Sequence, residues 1–273
     1  MEFIEQVGDI AREAGRLIRG MEGDRSLHVE EKGSSYDIVT AADTASQRLI
    51  FDRVRQLFPR DRMVGEEDNL SDRAILDLIA ESDERVWVVD PLDGTVNFFR
   101  GLGSYTVSVG VFEGGEVIAG AIYAPETDEL CLAEPGSGAT LNGKPIRVAE
   151  HADLKDAIGA THVPVSNAEP RRRYLRWEAE LVMACQNLRL IGSSARSQCK
   201  VATGAIDFYF ENGPHPWDVA AGSLIVREAG GVASRLDGGP FEYGPGGVLI
   251  CSKAIHGAVV ELLNRIDGQL ADL

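Results

Sequence analysis

The sequence predicts a layered α/β protein, and three observations carry that prediction. Residues 3 to 21 place Phe3, Ile4, Val7, Ile10, Ala11, Ala14, Leu17, Ile18 and Met21 at helical spacing, the apolar stripe of an amphipathic helix. Tyr105, Val107, Val109 and Val111 alternate with Thr106, Ser108 and Gly110, the two-residue period of a strand. Beyond residue 150 strand-like and helix-like segments take turns, the pattern of sheets covered by helices.

The elements follow in order. After the first helix, Gly33-Ser34-Ser35 breaks the pattern. A second helix runs from about Thr40 to Leu57, with Ala42, Ala45, Leu49, Ile50, Val54 and Leu57 inward and Pro59 as its stop. Met63-Val64-Gly65 is a short strand entering Glu66-Glu67-Asp68, and residues 74 to 80 are helical. Val86 to Val89 is a bounded apolar run, hence a buried strand, and it leads into a loop, Asp90-Pro91-Leu92-Asp93-Gly94-Thr95. Glu113-Gly114-Gly115-Glu116 turns a hairpin into Val117 to Tyr123. Leu130 to Ala133 and Ile146 to Val148 add strands, with Asn142-Gly143 turning between them. In the second half, strands near 158–161, 188–191, 206–210 and 248–251 alternate with helices near 170–184, 194–203 and 216–229. Gly230-Gly231 closes the third of these helices, and Ile255, Val259, Leu262, Leu263 and Ile266 mark a last one. No repeat or linker divides the chain, so the expectation is two halves, 1–150 and 151–273, joined as one compact unit.

Composition excludes several classes of function. Hydrophobic residues make up 44% of the 273 and charged residues 26%, an ordinary globular balance. No apolar run approaches the roughly 18 residues of a membrane span. The N-terminus is acidic and amphipathic, without the basic start and apolar stretch of a secretory signal, which makes the cytoplasm the expected location. Cys131, Cys185, Cys199 and Cys251 are far apart and form no CxxC pair, so four reduced, buried thiols are expected. A formal net charge of −16 disfavours a nucleic-acid footprint, and the basic run Arg171-Arg172-Arg173 is expected on a solvated helix face.

Acidic residues stand where chemistry could use them. Asp90 and Asp93 flank a stiffening proline at a strand end, where two carboxylates can face one cavity and hold a hard divalent cation. Gly94 allows a tight backbone, and the N–H groups of Gly94 and Thr95 at a helix start suit a phosphate oxygen. Gly65-Glu66-Glu67-Asp68 gathers three more acids after another short strand. Asp37 and Asp43 flank the start of the second helix, and Asp218 opens the helix after Trp217. Each segment alone has a plainer reading: a capped turn, a solvated acidic turn, a helix N-cap.

Taken together and in order, Asp37-Ile-Val-Thr40-Ala-Ala-Asp43, Gly65-Glu66-Glu67, Trp87-Val-Val-Asp90-Pro-Leu-Asp93-Gly94-Thr95-Val-Asn97-Phe98 and Trp217-Asp218-Val-Ala-Ala-Gly222 resemble the inositol monophosphatase family over roughly residues 32 to 231. The resemblance implies an αβαβα sandwich, a homodimer, and a lithium-sensitive phosphatase using two or three Mg²⁺ per site. It implies that Glu66, Asp90 and the Leu92 carbonyl hold one Mg²⁺, that Asp90, Asp93 and Asp218 hold a second, and that Glu67 supports a weaker site. It further implies that Thr95, bonded to Asp43, orients and helps deprotonate the attacking water. Gly94 and Thr95 would grip the phosphate, Lys32 would lie near the cluster, Glu211 would accept hydroxyls of a polyol, and Gly192, Ser193 and Ser194 would line the same pocket. Ser193 and Ser194 replace residues often Thr and Ala in the family, which leaves histidinol phosphate, fructose 1,6-bisphosphate or a 3′,5′-bisphosphorylated nucleoside as rival substrates to inositol 1-phosphate. A regulatory or interaction role on the same fold is the competing class.

Other motifs fail. Gly138 to Lys144 fits most of a P-loop, but Pro145 stands where Ser or Thr is needed and Asn142-Gly143 reads as a hairpin turn. The acids lack the DxD spacing of an aspartyl nucleophile, and no GxSxG or HExxH is present. The histidines are scattered, with His215 expected at a rim or in the core.

Overall fold

A computed structural model of the chain describes residues 2–23, 29–34, 37–162, 168–244 and 246–271. Its elements run α1 Phe3–Met21, β1 Val29–Ser34, β2 Asp37–Thr40, α2 Ala41–Leu57, β3 Arg62–Gly65, α3 Asp72–Glu81, β4 Val86–Asp93, α4 Thr95–Arg100, β5 Thr106–Glu113, β6 Glu116–Ala124, β7 Glu129–Ala133, β8 Ala139–Leu141, β9 Lys144–Pro145, β10 Ile158–Thr161, α5 Ala168–Ala184, β11 Asn187–Leu190, α6 Ser194–Ala202, β12 Phe208–Glu211, α7 Pro216–Glu228, β13 Val232–Ser234, β14 Val248–Cys251 and α8 His256–Ala271.

Two large sheets organise the molecule. The first has seven strands in the order β3-β4-β5-β6-β7-β8-β9, antiparallel except for the parallel β3–β4 pair. The second has five, in the order β11-β10-β12-β14-β13, with β10 parallel to β11 and β12 and the rest antiparallel. Three apolar clusters fill the spaces between layers. Val7, Ile10, Ala14 and Ile18 of α1 and Ile50 and Val54 of α2 pack with Trp87, Val89, Val107 and Val109 on one face of the large sheet. Val86 and Val88 on its other face pack with α6 and α7, and these reach Ala160, Tyr209 and Ile250 of the small sheet. Tyr174 and Trp177 of α5 and Val259 and Leu263 of α8 cover the far face through Phe208 and Phe210. The result is an αβαβα sandwich, because the central strands β4, β5, β12 and β14 are buried on both faces and need a layer on each.

The middle layer sits unusually close to the large sheet. A Cβ on Gly110 would stand 2.6 Å from Ala220 Cβ, and one on Gly120 would stand 2.8 Å from the Ala221 carbonyl oxygen. These two glycines let α7, which carries Asp218, lie directly on β5 and β6.

Three local expectations need correction. Residues 146–148 are not a strand: Ile146 N bonds back to Ala139 O and Val148 N to Ala229 O, so the segment leaves the sheet edge to seal α7. The Asn142-Gly143 turn instead joins β8 to β9, two strands too short to read in the sequence. The small sheet gains β13, and β1 and β2 form a separate antiparallel hairpin. All four cysteines are free and buried, as expected. Arg173 is exposed on α5 and paired with Asp267; the side chains of Arg171 and Arg172 lie outside the described residues.

Candidate active site

Asp90 and Asp93 belong to β4 itself and not to a loop after it. Three residues apart on a regular strand they would face opposite sides. Asp90 pairs with Ser108 and Asp93 with Thr106, so β4 carries one residue more than β5 between these pairs. This bulge turns the strand and lets both carboxylates address one space. Ser46 of α2 fixes the bulge by donating to the Pro91 carbonyl at 2.7 Å, and the Leu92 N–H bonds Asp90 Oδ1 at 3.0 Å. Gly94 follows with φ of 92°, and a Cβ there would press on the Ser104 and Gly192 carbonyls at 3.1 and 3.2 Å. Glycine is required, since a side chain would meet both a left-handed backbone and two oxygens.

Asp93 is gripped by the start of α6. Its Oδ1 accepts from Ser194 N at 3.1 Å, and its Oδ2 from Ala195 N at 2.7 Å, Ser193 Oγ at 2.5 Å and Thr106 Oγ1 at 3.2 Å. Burial raises its pKa, and the donors from Ser193, Ala195 and Ser194 pull against that rise. Among the described residues Asp90 has no comparable set of donors beyond the Leu92 N–H. Burial first, then the charges of Glu66, Asp93 and Asp218, hold it well above the usual carboxylate range. Asp218 is raised likewise, by burial and then by Glu211, Asp93 and Glu66. Glu66, Asp90, Asp93, Asp218 and Glu211 therefore share one electrostatic neighbourhood.

Thr95 stands at the mouth of this group. Its hydroxyl donates to Asp43 Oδ1 at 3.1 Å and lies 3.0 Å from the Leu92 carbonyl oxygen. Asp43 is fully buried. Its Oδ2 accepts from Thr40 N at 2.8 Å and Thr40 Oγ1 at 2.6 Å, closing a capping box at the start of α2. Asp218 likewise caps α7, accepting from His215 N at 2.7 Å. For both acids the plain helix-cap reading and membership of the acidic site are true together.

Glu66 and Glu67 open a short 3-10 turn, Glu66–Asp68, at the end of β3, and both are half-buried. Gln47 of α2 clamps the turn: its Oε1 accepts from Glu67 N at 3.1 Å and its Nε2 donates to Asp68 Oδ1 at 3.0 Å. On the far wall, Glu211 ends β12 and is buried, while Gly192 turns with φ of 77° into the Ser193 cap of α6. Asn97 ties that turn to α4 by donating to Ile191 O at 2.8 Å and Ser104 O at 3.1 Å. Lys32 and Asp37 have side chains outside the described residues. His215 is a rim residue, stacked on Trp217 with ring centroids 4.5 Å apart and 2.7 Å from Asp72 Oδ1. Gly138 to Lys144 lies in the β8–β9 hairpin, away from any helix start.

Among the described residues no three acidic, histidine or cysteine side chains form a ready-made metal cage. The donor set nevertheless suits a hard cation. It is all oxygen, from Glu66, Asp90, Asp93, Asp218 and the Leu92 carbonyl, and its like charges are forced together by burial. Sequence reasoning missed Ser46, Gln47 and the α6 N–H donors. Nothing in their spacing sets them apart from ordinary helix residues.

An αβαβα sandwich with a bulged DxxDGT strand, a partner acid on α7 and a threonine–aspartate pair defines a class of metal-dependent phosphatase. The chain matches the profile of the inositol monophosphatase family over residues 2–267 and belongs to that family; it is a phosphoric monoester hydrolase. It is 34% identical to a fructose-1,6-bisphosphatase/inositol-1-monophosphatase of Thermotoga maritima, covering 94% of each chain. It is 35% identical to the Nus factor SuhB of Pasteurella multocida, covering 96% of this chain and 94% of that one. A solved IMPase of Thermotoga maritima superposes with a TM-score of 0.88 at 32% identity, covering 98% of this chain and 99% of that one. No helix among the described residues is long and apolar enough to cross a membrane.

Proposed function

We propose that this protein uses Mg²⁺ to hydrolyse a small phosphate monoester, with inositol 1-phosphate as its best substrate. Glu66, Asp90, the Leu92 carbonyl, Asp93 and Asp218 would hold two or three Mg²⁺, with Glu67 behind them. Bound there, the ions supply a water of lowered pKa and a counter-charge for the phosphate and the leaving oxygen. The protein's own groups do the rest. The buried Asp43 carboxylate accepts the Thr95 hydroxyl proton, so as the attacking water gives its proton to the Thr95 oxygen, Thr95 passes its own proton to Asp43. The Gly94 and Thr95 N–H groups, at a helix start without intrahelical partners, cradle phosphate oxygens. Gly192, Ser193 and Ser194 line the wall, and Glu211 accepts a substrate hydroxyl. Phosphoryl transfer needs chiefly such positioning and charge neutralisation.

The observation that carries this reading is the crowding of Glu66, Asp93 and Asp218 around buried Asp90, beside the 3.1 Å Thr95–Asp43 bond. The test is phosphate release from inositol 1-phosphate, histidinol phosphate, fructose 1,6-bisphosphate, adenosine 3′,5′-bisphosphate and glycerol 2-phosphate, each with Mg²⁺ and with chelator. Mg²⁺-dependent turnover best on inositol 1-phosphate supports both reaction and substrate. A better rate on another phosphate reassigns the substrate. Inhibition by millimolar lithium is expected, and a flat dose curve would remove it. A regulatory role is the second reading, favoured by the relative named Nus factor SuhB. Release of no phosphate from the panel by folded, Mg²⁺-binding protein would move the assignment there.

A further inference from the structure

Glu211 does not hang freely at the end of β12. Its Oε2 accepts from Tyr209 Oη at 2.5 Å and from Ser194 Oγ at 3.0 Å. The two hydroxyls are themselves 2.9 Å apart. Both bonds go to one oxygen, and among the described residues no donor reaches Oε1. Tyr209 is fully buried, and burial together with the Glu211 charge keeps its hydroxyl protonated, so it remains a donor.

A third residue holds this pair from behind. Gln198, on the next turn of α6, is fully buried and donates through Nε2 to Ser194 Oγ at 3.1 Å and to the Asp218 carbonyl at 2.8 Å. A carbonyl can only accept, so the amide nitrogen must be the atom that faces Asp218. This leaves Gln198 Oε1 buried without a donor among the described residues, packed against Gly222, where a Cβ would stand 1.9 Å away. A buried orphan carbonyl opposes folding, so an apolar side chain would serve better there if packing were the only demand. What Nε2 does is join the wall that carries Glu211 to the helix start that carries Asp218.

We infer that Tyr209, Ser194 and Gln198 form a positioning set that locks Glu211 through one oxygen and presents the other, Oε1, as a one-point acceptor for a hydroxyl of the substrate. This rests on the proposed reading of Glu211 as a substrate contact. It makes the three residues specificity-determining for any substrate with a hydroxyl placed to meet Oε1. A locked carboxylate loses little freedom when it binds, whereas an unlocked one must be ordered by each substrate. Removing the lock therefore weakens discrimination more than it weakens catalysis.

The experiment compares two substrates on one enzyme: inositol 1-phosphate, which offers hydroxyls, and p-nitrophenyl phosphate, which offers none. In Tyr209→Phe, kcat/KM for inositol 1-phosphate should fall about tenfold relative to that for p-nitrophenyl phosphate, mostly through KM. Gln198→Met should shift the same ratio in the same direction by less. In the double variant of Tyr209→Phe with Glu211→Gln, the two losses in the ratio should overlap and not multiply. Equal losses on both substrates, or losses that multiply in the double variant, would overturn the inference while leaving the phosphatase reading intact. Should Tyr209→Phe fail to fold, Ser194→Ala decides by the same ratio. A wild-type enzyme that ignores inositol 1-phosphate but cleaves p-nitrophenyl phosphate would sink the polyol assignment itself.

Discussion

Asp90 and Asp93 are three residues apart, yet their surroundings give them different chemistry. Asp93 is saturated with donors from α6 and Thr106, while Asp90 meets mainly other acids. Asp90→Asn should therefore lower kcat by at least about 100-fold, as expected when a ligand in a charge-neutralising cluster is lost. The same change should help the metal-free protein. Asp90 and Asp218 have raised pKa values, so the folded state binds their protons more tightly than the unfolded chain does. That stability is full below the ordinary carboxylate range and is lost as pH rises through the raised values. Metal-free protein should melt progressively lower as pH rises above the ordinary carboxylate range, with Asp90→Asn flattening that slope. Mg²⁺ should restore most stability at the alkaline end, as a ligand that binds only the folded state. Calorimetry across pH, with and without Mg²⁺, checks both; a pH-independent melting point would contradict the crowding of charges.

At the scale of elements, the site depends on how closely helices approach sheets. Gly110 and Gly120 let α7 lie on β5 and β6, so Gly120→Ala should push α7 and Asp218 outward. The expected cost is about 1–3 kcal/mol of stability, with weaker Mg²⁺ binding. Denaturant unfolding and a Mg²⁺ titration measure the two effects. Gln47 acts in the same way for the acidic turn after β3. Gln47→Ala removes the side-chain acceptor of the Glu67 N–H and one donor to Asp68, and should weaken Mg²⁺ affinity about 10-fold, the usual effect of losing a residue that orients a ligand. Unchanged affinity would mean that Glu66 and Glu67 need no clamp. The long apolar periods of α1 and α2 and the buried run of β4 were legible in the sequence because burial itself writes that pattern. The β4 bulge was not, since register depends on the partner strand, and neither were β8, β9 and β13, whose two or three residues are too few to show a period.

For the whole molecule, a homodimer is the expected state. Val96 and Phe99 are exposed on one side of α4, Leu102 follows them at 69% exposure, and Leu190 on the edge strand β11 is 64% exposed. The Asn97–Ile191 bond joins these two regions. Such an apolar surface on a chain of net charge −16 is a place where a second copy can dock. Light scattering should give twice the monomer mass, and Leu102→Glu should shift the protein toward the monomer. A monomeric wild-type protein would remove the dimer.

The sequence by itself determined a layered α/β protein, through periodicities that report which faces are buried; the αβαβα order came from the family resemblance. It also singled out Asp90, Asp93, Gly94, Thr95 and Asp218 as candidates, because their segments taken in order resemble one family's motifs. Only the tertiary structure decided which groups hold them. The Thr95–Asp43 bond was already implied by the resemblance, but Asp93 meets its α6 donors across about a hundred residues. Ser194, Tyr209 and Gln198 converge on Glu211 and Asp218 from α6 and β12. Such contacts are hydrogen bonds between elements distant in the chain, and a hydrogen bond leaves no period in the sequence: its donor and acceptor are ordinary polar residues until packing brings them together.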